Sequence, residues 1–386
     1  VKVLPLVLKN LLRKKTRSLL TVGSIVLPLF VICILGTLLR ALDADPSGGK
    51  GMYRLIVRHK VSITNWLPGA YDPKIRNLPG VVEAIRMQWF GGSYIDQSAK
   101  NQFARFSVTD ADRLLRVFDE AKVVEGSEAE WVSDRTGLLV GRQLMKRYGW
   151  KLGQKVAFKG DIYPITLELT VRAVFAAADE SGVYFHHQAV EEALPRVKGF
   201  VGWYWLKTDS IAATERVPKQ IDALFENSSY PTRSETEKEF QSMWVSMLGN
   251  VKLLVGSITT IIAIVILLIA ANTMAMAARE RVTEIAVFRV LGFTKEKILG
   301  LVLGESLALS LFGGVLGLAL FVLLLPGFRE GLMNSPMAGF AAGVRLFPEV
   351  LLAGFGVTVA VGLLAGLVPA IRSATRPITE GLRQVA

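Results

Sequence analysis

Four stretches of this chain carry no charged residue: Ser18 to Leu39, Leu253 to Ala278, Ser306 to Phe328 and Val350 to Ile371. Charges bound each of them, at Arg17 and Arg40, Lys252 and Arg279, Glu305 and Arg329, and Glu349 and Arg372. A helix crosses the hydrocarbon core with about 20 apolar residues, so each stretch is long enough to span. The first is longer than a signal h-region of roughly 7–15 residues and no small-residue cleavage site is obvious, so it too reads as a span.

The flanking Lys and Arg set the expected orientation. Lys2, Lys9, Arg13, Lys14, Lys15 and Arg17 precede the first span, Arg279, Arg281, Arg289, Lys295 and Lys297 lie between the second and third, and Arg372, Arg376 and Arg383 follow the fourth. Both termini and the middle loop are therefore expected in the cytosol, with the segment between spans one and two outside. That segment, 43–250, holds 27 Lys/Arg against 26 Asp/Glu. The net charge of +12 thus sits mainly on the cytosolic side, as a topology signal and an attraction to anionic lipid. Nucleic acid is not an expected partner. Leu4, Leu8, Leu11 and Leu12 recur at helical spacing and suggest an amphipathic helix on the inner leaflet.

The expected fold class is a membrane protein with four transmembrane helices, arranged one plus three, and a large α+β extracytoplasmic domain inserted between spans one and two. The expected boundaries are 1–42 for the amphipathic helix and first span, 43–250 for the inserted domain, and 251–386 for spans two to four. With Cys33 as the only cysteine, no intramolecular disulfide can hold the inserted domain, so its own core must. Tyr53, Leu55 and Val57 alternate with Arg54 and Arg58, Thr166 to Arg172 alternates throughout, and Phe200 to Lys207 suits a third strand. Asp72-Pro73 opens a helix. Ala111 to Val123, Gly141 to Tyr148 and Val217 to Phe225 are further candidates, and Ser234 with Glu237 reads as a capping box. The helix it opens could run on into the second span.

Chemistry is sparse. There is no HExxH and no GxSxG. His186 and His187 are adjacent, and in an extended segment they point opposite ways, which disfavours a metal. Trp203, Tyr204 and Trp205 suit a core or sheet face better than a ligand platform, while Trp66, Leu67 and Pro68 could form an exposed apolar loop. No ionisable residue falls within a span, which argues against a proton relay. Asn272 and Thr273 are polar exceptions in span two, expected to bond a neighbouring helix. Gly313 and Gly317, and Gly362 and Gly366, form small-xxx-small steps for close helix packing, within the subunit or between subunits.

The loop after span two has its own grammar. Residues up to Leu291 favour helix, Gly292 suits a helix stop, and Thr294 can cap the next helix with Glu296 in its first turn. Phe288 and Phe293 are large apolar residues in a loop expected to face water. The order Glu280-Arg281, Glu284-Ile285-Ala286-Val287, Arg289-Val290-Leu291-Gly292, then Gly304-Glu305-Ser306 and Gly313-Gly314-Val315-Leu316-Gly317, resembles the signature of the MacB/FtsX/LolC-type ABC permease family. Ala271-Asn272-Thr273-Met274 and the basic segment Asn10 to Arg17 are similar to that family too, and so is the one-plus-three layout.

The resemblance implies a permease subunit of a type VII ABC transporter, with a MacB-like periplasmic domain and an FtsX-like permease domain. Two permease subunits, identical or homologous, would pair and be driven by a dimeric cytosolic ATPase. The contact would be the hairpin residues Arg281, Glu284, Ile285, Phe288, Arg289, Gly292, Phe293 and Lys295. No cofactor would bind directly. The chain has no GxxxxGK[ST] loop, so ATP and Mg would be handled by a separate ATPase subunit, and the permease would not itself be an enzyme. The implied setting is a bacterial inner membrane. The implied task is export or extraction of a lipid, lipoprotein or hydrophobic compound, with room for a periplasmic adaptor and an outer-membrane channel. An FtsX-like regulator that activates a cell-wall hydrolase is the alternative.

Overall fold

The computed structural model describes residues 15–44, 49–96, 103–161, 163–247, 249–333, 335, 341 and 343–377. The expected amphipathic segment before Lys15 lies outside them. Contacts divide the chain into two units, one of Val1–Ala41, Asn250–Phe328 and Val344–Ala386, the other of Leu42–Gly249 and Arg329–Gly343.

Helix α1 spans Lys15–Asp43 and encloses the first charge-free stretch. The inserted domain then lays down β1 (Arg54–His59), β2 (Leu67–Pro68), α2 (Asp72–Arg76), β3 (Val81–Trp89), β4 (Gly92–Ser93) and β5 (Ala104–Val108). Next come α3 (Leu114–Val117), β6 (Lys122–Gly126), α4 (Glu128–Ser133), β7 (Gly137–Gly141), α5 (Arg142–Tyr148), β8 (Lys155–Gly160) and β9 (Thr166–Ala176). The domain closes with β10 (Gly182–His186), α6 (His187–Ala193), β11 (Phe200–Val201), β12 (Trp203–Thr208), α7 (Ile211–Phe225), β13 (Thr232–Thr236) and α8 (Glu237–Met247). Among the described residues, eleven strands form one sheet in the order β13-β1-β12-β3-β5-β10-β7-β9-β8-β4, with β6 also on β9. Pairing is antiparallel except between β5 and β10 and between β7 and β9.

Strand alternation sorts side chains onto two faces. Leu55, Val57, Tyr204 and Leu206 meet Ala213, Val217, Ile221 and Phe225 of α7, a helical stripe at intervals of four. Ser210 caps that helix by accepting the Ala213 N–H at 3.3 Å, which starts it at Ile211 rather than at the Val217 read from sequence. Further along the sheet, Phe90, Phe158, Phe185 and Val140 build a second core. Since the sheet joins strands far apart in the chain, a large core forms without any disulfide.

Several local expectations need correction. Tyr53 lies before the strand, and β1 is interior, flanked by β12 and β13, with Arg54 and Arg58 buried in it. Arg54 donates to Glu237 at 2.6 Å and to Glu120 at 2.7 Å, and Arg58 donates to Glu235 at 2.6 Å. The stretch Ala111 to Val123 is not one helix. A short turn and α3 end at Phe118, and the β-branched Val123 and Val124 leave in β6 to pair with β9. The capping box is two residues later than read: the Thr236 hydroxyl accepts the Glu239 N–H at 3.2 Å, and Glu239 accepts the Thr236 N–H at 2.8 Å. Ser234 lies in β13, held by Asp222. Leu67 is fully buried, so Trp66 to Pro68 is no exposed apolar loop, and Pro68 pairs with Phe200.

Among the described residues, four helices are long and apolar enough to cross a membrane: α1, then α9 (Val251–Glu280), α11 (Lys295–Met333) and α12 (Pro348–Thr375), with α10 (Val282–Val290) between α9 and α11. The helix α8 does not continue into α9. Gly249 takes φ +81°, and Asn250 starts a new helix by accepting the Leu253 N–H at 3.1 Å.

Glycines set the packing inside the membrane unit. A Cβ on Gly313 would stand 3.1 Å from Ile25, and one on Gly317 would stand 3.0 Å from the Val26 carbonyl, so α11 and α1 meet backbone to side chain. A Cβ on Gly362 or Gly366 would fall 2.9 or 2.6 Å from Ser310 or Ser306, on the contact between α12 and α11. The serines use that closeness: Ser306 donates to the Gly362 carbonyl at 2.7 Å and Ser310 to the Thr358 carbonyl at 2.5 Å. Thr273 donates to Ile269 of its own helix at 2.8 Å, rather than to a neighbour.

Candidate functional site

The hairpin between the second and third spans is two helices and two breaks. The span helix ends at Glu280, not near Leu291, because Arg281 leaves helical geometry and α10 begins afresh at Val282. Arg281 is also the bracket that holds the corner. Its guanidinium lies 3.2 Å from Glu284 on α10 and 2.5 Å from Glu305 on α11. Removal of either carboxylate leaves the other in place, so the corner has two braces.

The second break is a Schellman motif built from residues the sequence supplies in order. Gly292 adopts φ +90°. Its N–H reaches the Arg289 carbonyl at 3.1 Å, and the Phe293 N–H reaches the Phe288 carbonyl at 3.0 Å. The apolar contact that accompanies such motifs is present: the Phe288 and Phe293 rings lie 5.3 Å apart. Those two phenylalanines, read as exposed, are partly buried against each other. Beneath them Ile285, Ile298 and Ala374 form a small core that ties α10 and α11 to the end of α12. Arg289 adds a tie by donating to the Arg376 carbonyl at 2.8 Å. The hairpin is therefore a fixed element on the membrane unit.

What the hairpin presents outward is a different set from the phenylalanines. Val287, Val290 and Leu291 are 44%, 62% and 70% exposed, beside exposed Gly292 and Lys295. Reading the loop for its largest apolar residues picked the pair that staples the turn. The helical phase relative to buried Ile285 and Ala286 would have pointed to the open edge, but the phase is set only once Arg281 breaks the helix. Beside the hairpin, a groove of about 930 Å³ runs between α9, α10 and α12. Asn272 lines it with the guanidinium-bearing Arg279, Arg289, Arg372 and Arg376. Elsewhere, His186 bonds the Trp131 carbonyl at 2.8 Å, while His187 bonds Ser107 at 2.8 Å and the Phe200 carbonyl at 3.1 Å, so both imidazoles serve the fold.

A family model described as FtsX-like permease C-terminal matches residues 256–378, the segment that holds the hairpin, the glycine steps and three of the four apolar helices. The chain carries an FtsX-like permease domain. The chain is similar to ABC transporter permeases of the MacB/FtsX type, in agreement with the motif order from Glu280 to Gly317. The uncharacterized ABC transporter permease MJ1507 of Methanocaldococcus jannaschii is similar over 97% of this chain and 96% of its own length, at 22% identity. The macrolide export ATP-binding/permease protein MacB of Chlorobaculum tepidum is 34% identical over 29% of this chain, which spans 16% of that protein. The periplasmic region of MacB from Actinobacillus actinomycetemcomitans aligns with 52% of this chain and 95% of its own, at 10% identity and a TM-score of 0.38.

Proposed function

We propose that this permease pairs with a second permease subunit and a separate cytosolic ATPase dimer, and passes the work of ATP hydrolysis to its inserted domain. The reading places both termini and the hairpin in the cytosol and the inserted domain outside, on the positive flanks of the spans. The task is export or extraction of a lipid, lipoprotein or hydrophobic compound. The observation that carries this is the hairpin: a short helix braced at Arg281, closed at Gly292, and open along Val287, Val290 and Leu291. A loop that merely joined two spans would need neither the double brace nor an apolar edge in water. Arg281, Glu284, Ile285, Phe288, Arg289 and Phe293 hold the edge in shape, and Lys295 stands beside it. The four arginines of the adjoining groove suit anionic headgroups of the inner leaflet.

Pairing of permease subunits is assigned to α9. Only 11% of its apolar window is buried within the chain, against 33%, 33% and 39% for α1, α11 and α12. Its free face is continuous, through Leu254, Ile258, Ile261, Val265 and Leu268.

The test is co-expression with the ATPase encoded beside this chain, purification in lipid nanodiscs, and mass and ATPase measurements. A complex of two permeases and two ATPases is expected. Leu291→Glu should abolish ATPase stimulation while membrane insertion and melting stay normal. Gly292→Val, which forces a β-branched residue to positive φ at about 1–2 kcal/mol, should lower stimulation and loosen the hairpin together. Failure of any ATPase to co-purify, or full stimulation by Leu291→Glu, would overturn the hairpin's role.

A further inference from the structure

One face of the large sheet is left partly uncovered inside the inserted domain. Cross-strand register sets Trp89 beside Phe106, Phe106 beside Tyr184, and Tyr184 beside Leu139, so an apolar row crosses four strands. The rings touch in series: Trp89 and Phe106 at 5.4 Å edge to face, Phe106 and Tyr184 at 5.7 Å stacked. Trp203 and Trp205 of β12 continue the same face, while Tyr204 between them turns to the core behind. The α3 segment and α8 cover the flank with Phe118 and Phe240 but do not fill the space. A cavity of about 550 Å³ remains. Small-molecule sites range over about 300–1,000 Å³ and are mostly apolar with a few convergent polar groups.

The charge on the lining points to what would fill it. Arg54 faces two carboxylates, Glu120 and Glu237, so the walls carry more negative than positive charge.

We propose that this cavity binds a flat, aromatic organic cation. The ring is held between the aromatic walls, and the positive charge by the π faces and the excess of carboxylate over guanidinium. The site stands on the cavity alone and does not depend on the permease reading, since binding needs neither ATPase nor ATP.

Rhodamine 6G, a xanthene cation with an ester carbonyl, is the probe. Its anisotropy and its quenching of tryptophan emission are titrated with the full chain in phosphatidylcholine nanodiscs, with empty nanodiscs subtracted. Saturable one-to-one binding is expected. Phe106→Leu keeps apolar bulk and removes a π face, and should weaken the cation about 2- to 5-fold and a neutral analogue less. Ala104→Phe projects a ring into the cavity and should abolish binding, with circular dichroism confirming that the domain is folded. Binding no greater than to empty nanodiscs overturns the proposal. So do unchanged affinity in Ala104→Phe, and tighter binding of anilinonaphthalene sulfonate or of a neutral fatty-acyl probe, which would make the cavity an anion or lipid-tail site.

Discussion

At the scale of single residues, the inserted domain depends on charges that the sequence hides in a strand. Arg58 and Glu235 are each 7% exposed at the side chain and 2.6 Å apart. Without Arg58, Glu235 keeps only the exposed Arg233 at 3.5 Å, and a buried carboxylate left without a close partner costs about 3–5 kcal/mol. Arg58→Met should therefore lower the unfolding free energy of the domain by that order in a urea titration. The double variant Arg58→Met with Glu235→Leu should recover most of the loss. A loss below about 1 kcal/mol, the worth of a surface pair, would show that water reaches the pair. His187 gives the pH dependence. Burial holds its imidazole below the ordinary value, Glu191 at 3.9 Å opposes that effect, and Arg86 adds to it. Above about pH 6.5 the ring is neutral in both folded and unfolded chains. Below it the unfolded chain takes up a proton that the folded domain resists, so stability falls as pH drops from about 6.5 toward the folded pKa. His187→Gln should flatten that part of the stability profile, measured by thermal melts from pH 7.5 to 5. An unchanged slope would assign the dependence to another group.

At the scale of elements, the helices of the membrane unit are joined by missing side chains. Lipid tails are as apolar as leucine, so burial alone gives two spans little reason to associate, and close contact and hydrogen bonds must do it. Gly362 and Gly366 provide both, since they admit α11 and leave the Gly362 carbonyl open to Ser306. Gly366→Leu would set a Cβ 2.6 Å from the Ser306 Cβ and push the two helices apart. It should destabilise the membrane unit by about 1–3 kcal/mol, the usual cost of overpacking. Steric trapping or detergent unfolding would read this, with Gly356→Leu as the control, because a Cβ there meets nothing within 4 Å. Equal losses in the two variants would remove the glycine step from the account. The hairpin shows the same dependence on tertiary detail. Gly292 and its caps were legible because a Schellman stop is local, set by one residue free to take positive φ. The break at Arg281 was not, because it rests on Glu305, 24 residues away in sequence and on the next helix.

At the scale of the whole molecule, the free face of α9 predicts the assembly. With the native thiol removed as Cys33→Ala, Ile261→Cys should form a disulfide-linked permease dimer under mild oxidation in membranes. Leu254→Cys and Val265→Cys should follow the helical period, while Ile266→Cys, at a position buried within the subunit, should not link. Cross-linking by none of the exposed positions would reject α9 as the pairing helix.

The sequence alone determined the four spans, their expected orientation, the insertion of a mixed domain and the order of the hairpin motif. Each of these is written locally: twenty uncharged residues, a basic flank, a glycine after a helical run. The tertiary structure decided what needed two distant segments at once. The burial of Arg54 and Arg58 follows from β12 and β13 enclosing β1 and from Glu237 and Glu235 arriving beside them. Trp203, Tyr204 and Trp205 read as core or sheet face, and only the pairing of β12 with β1 and β3 decides that Tyr204 enters one core while Trp203 and Trp205 pack on the other. Ser234 looks like a cap until β13 claims it and passes the task to Thr236. Residue types fix which partners a side chain can accept; only the fold fixes which of them arrive.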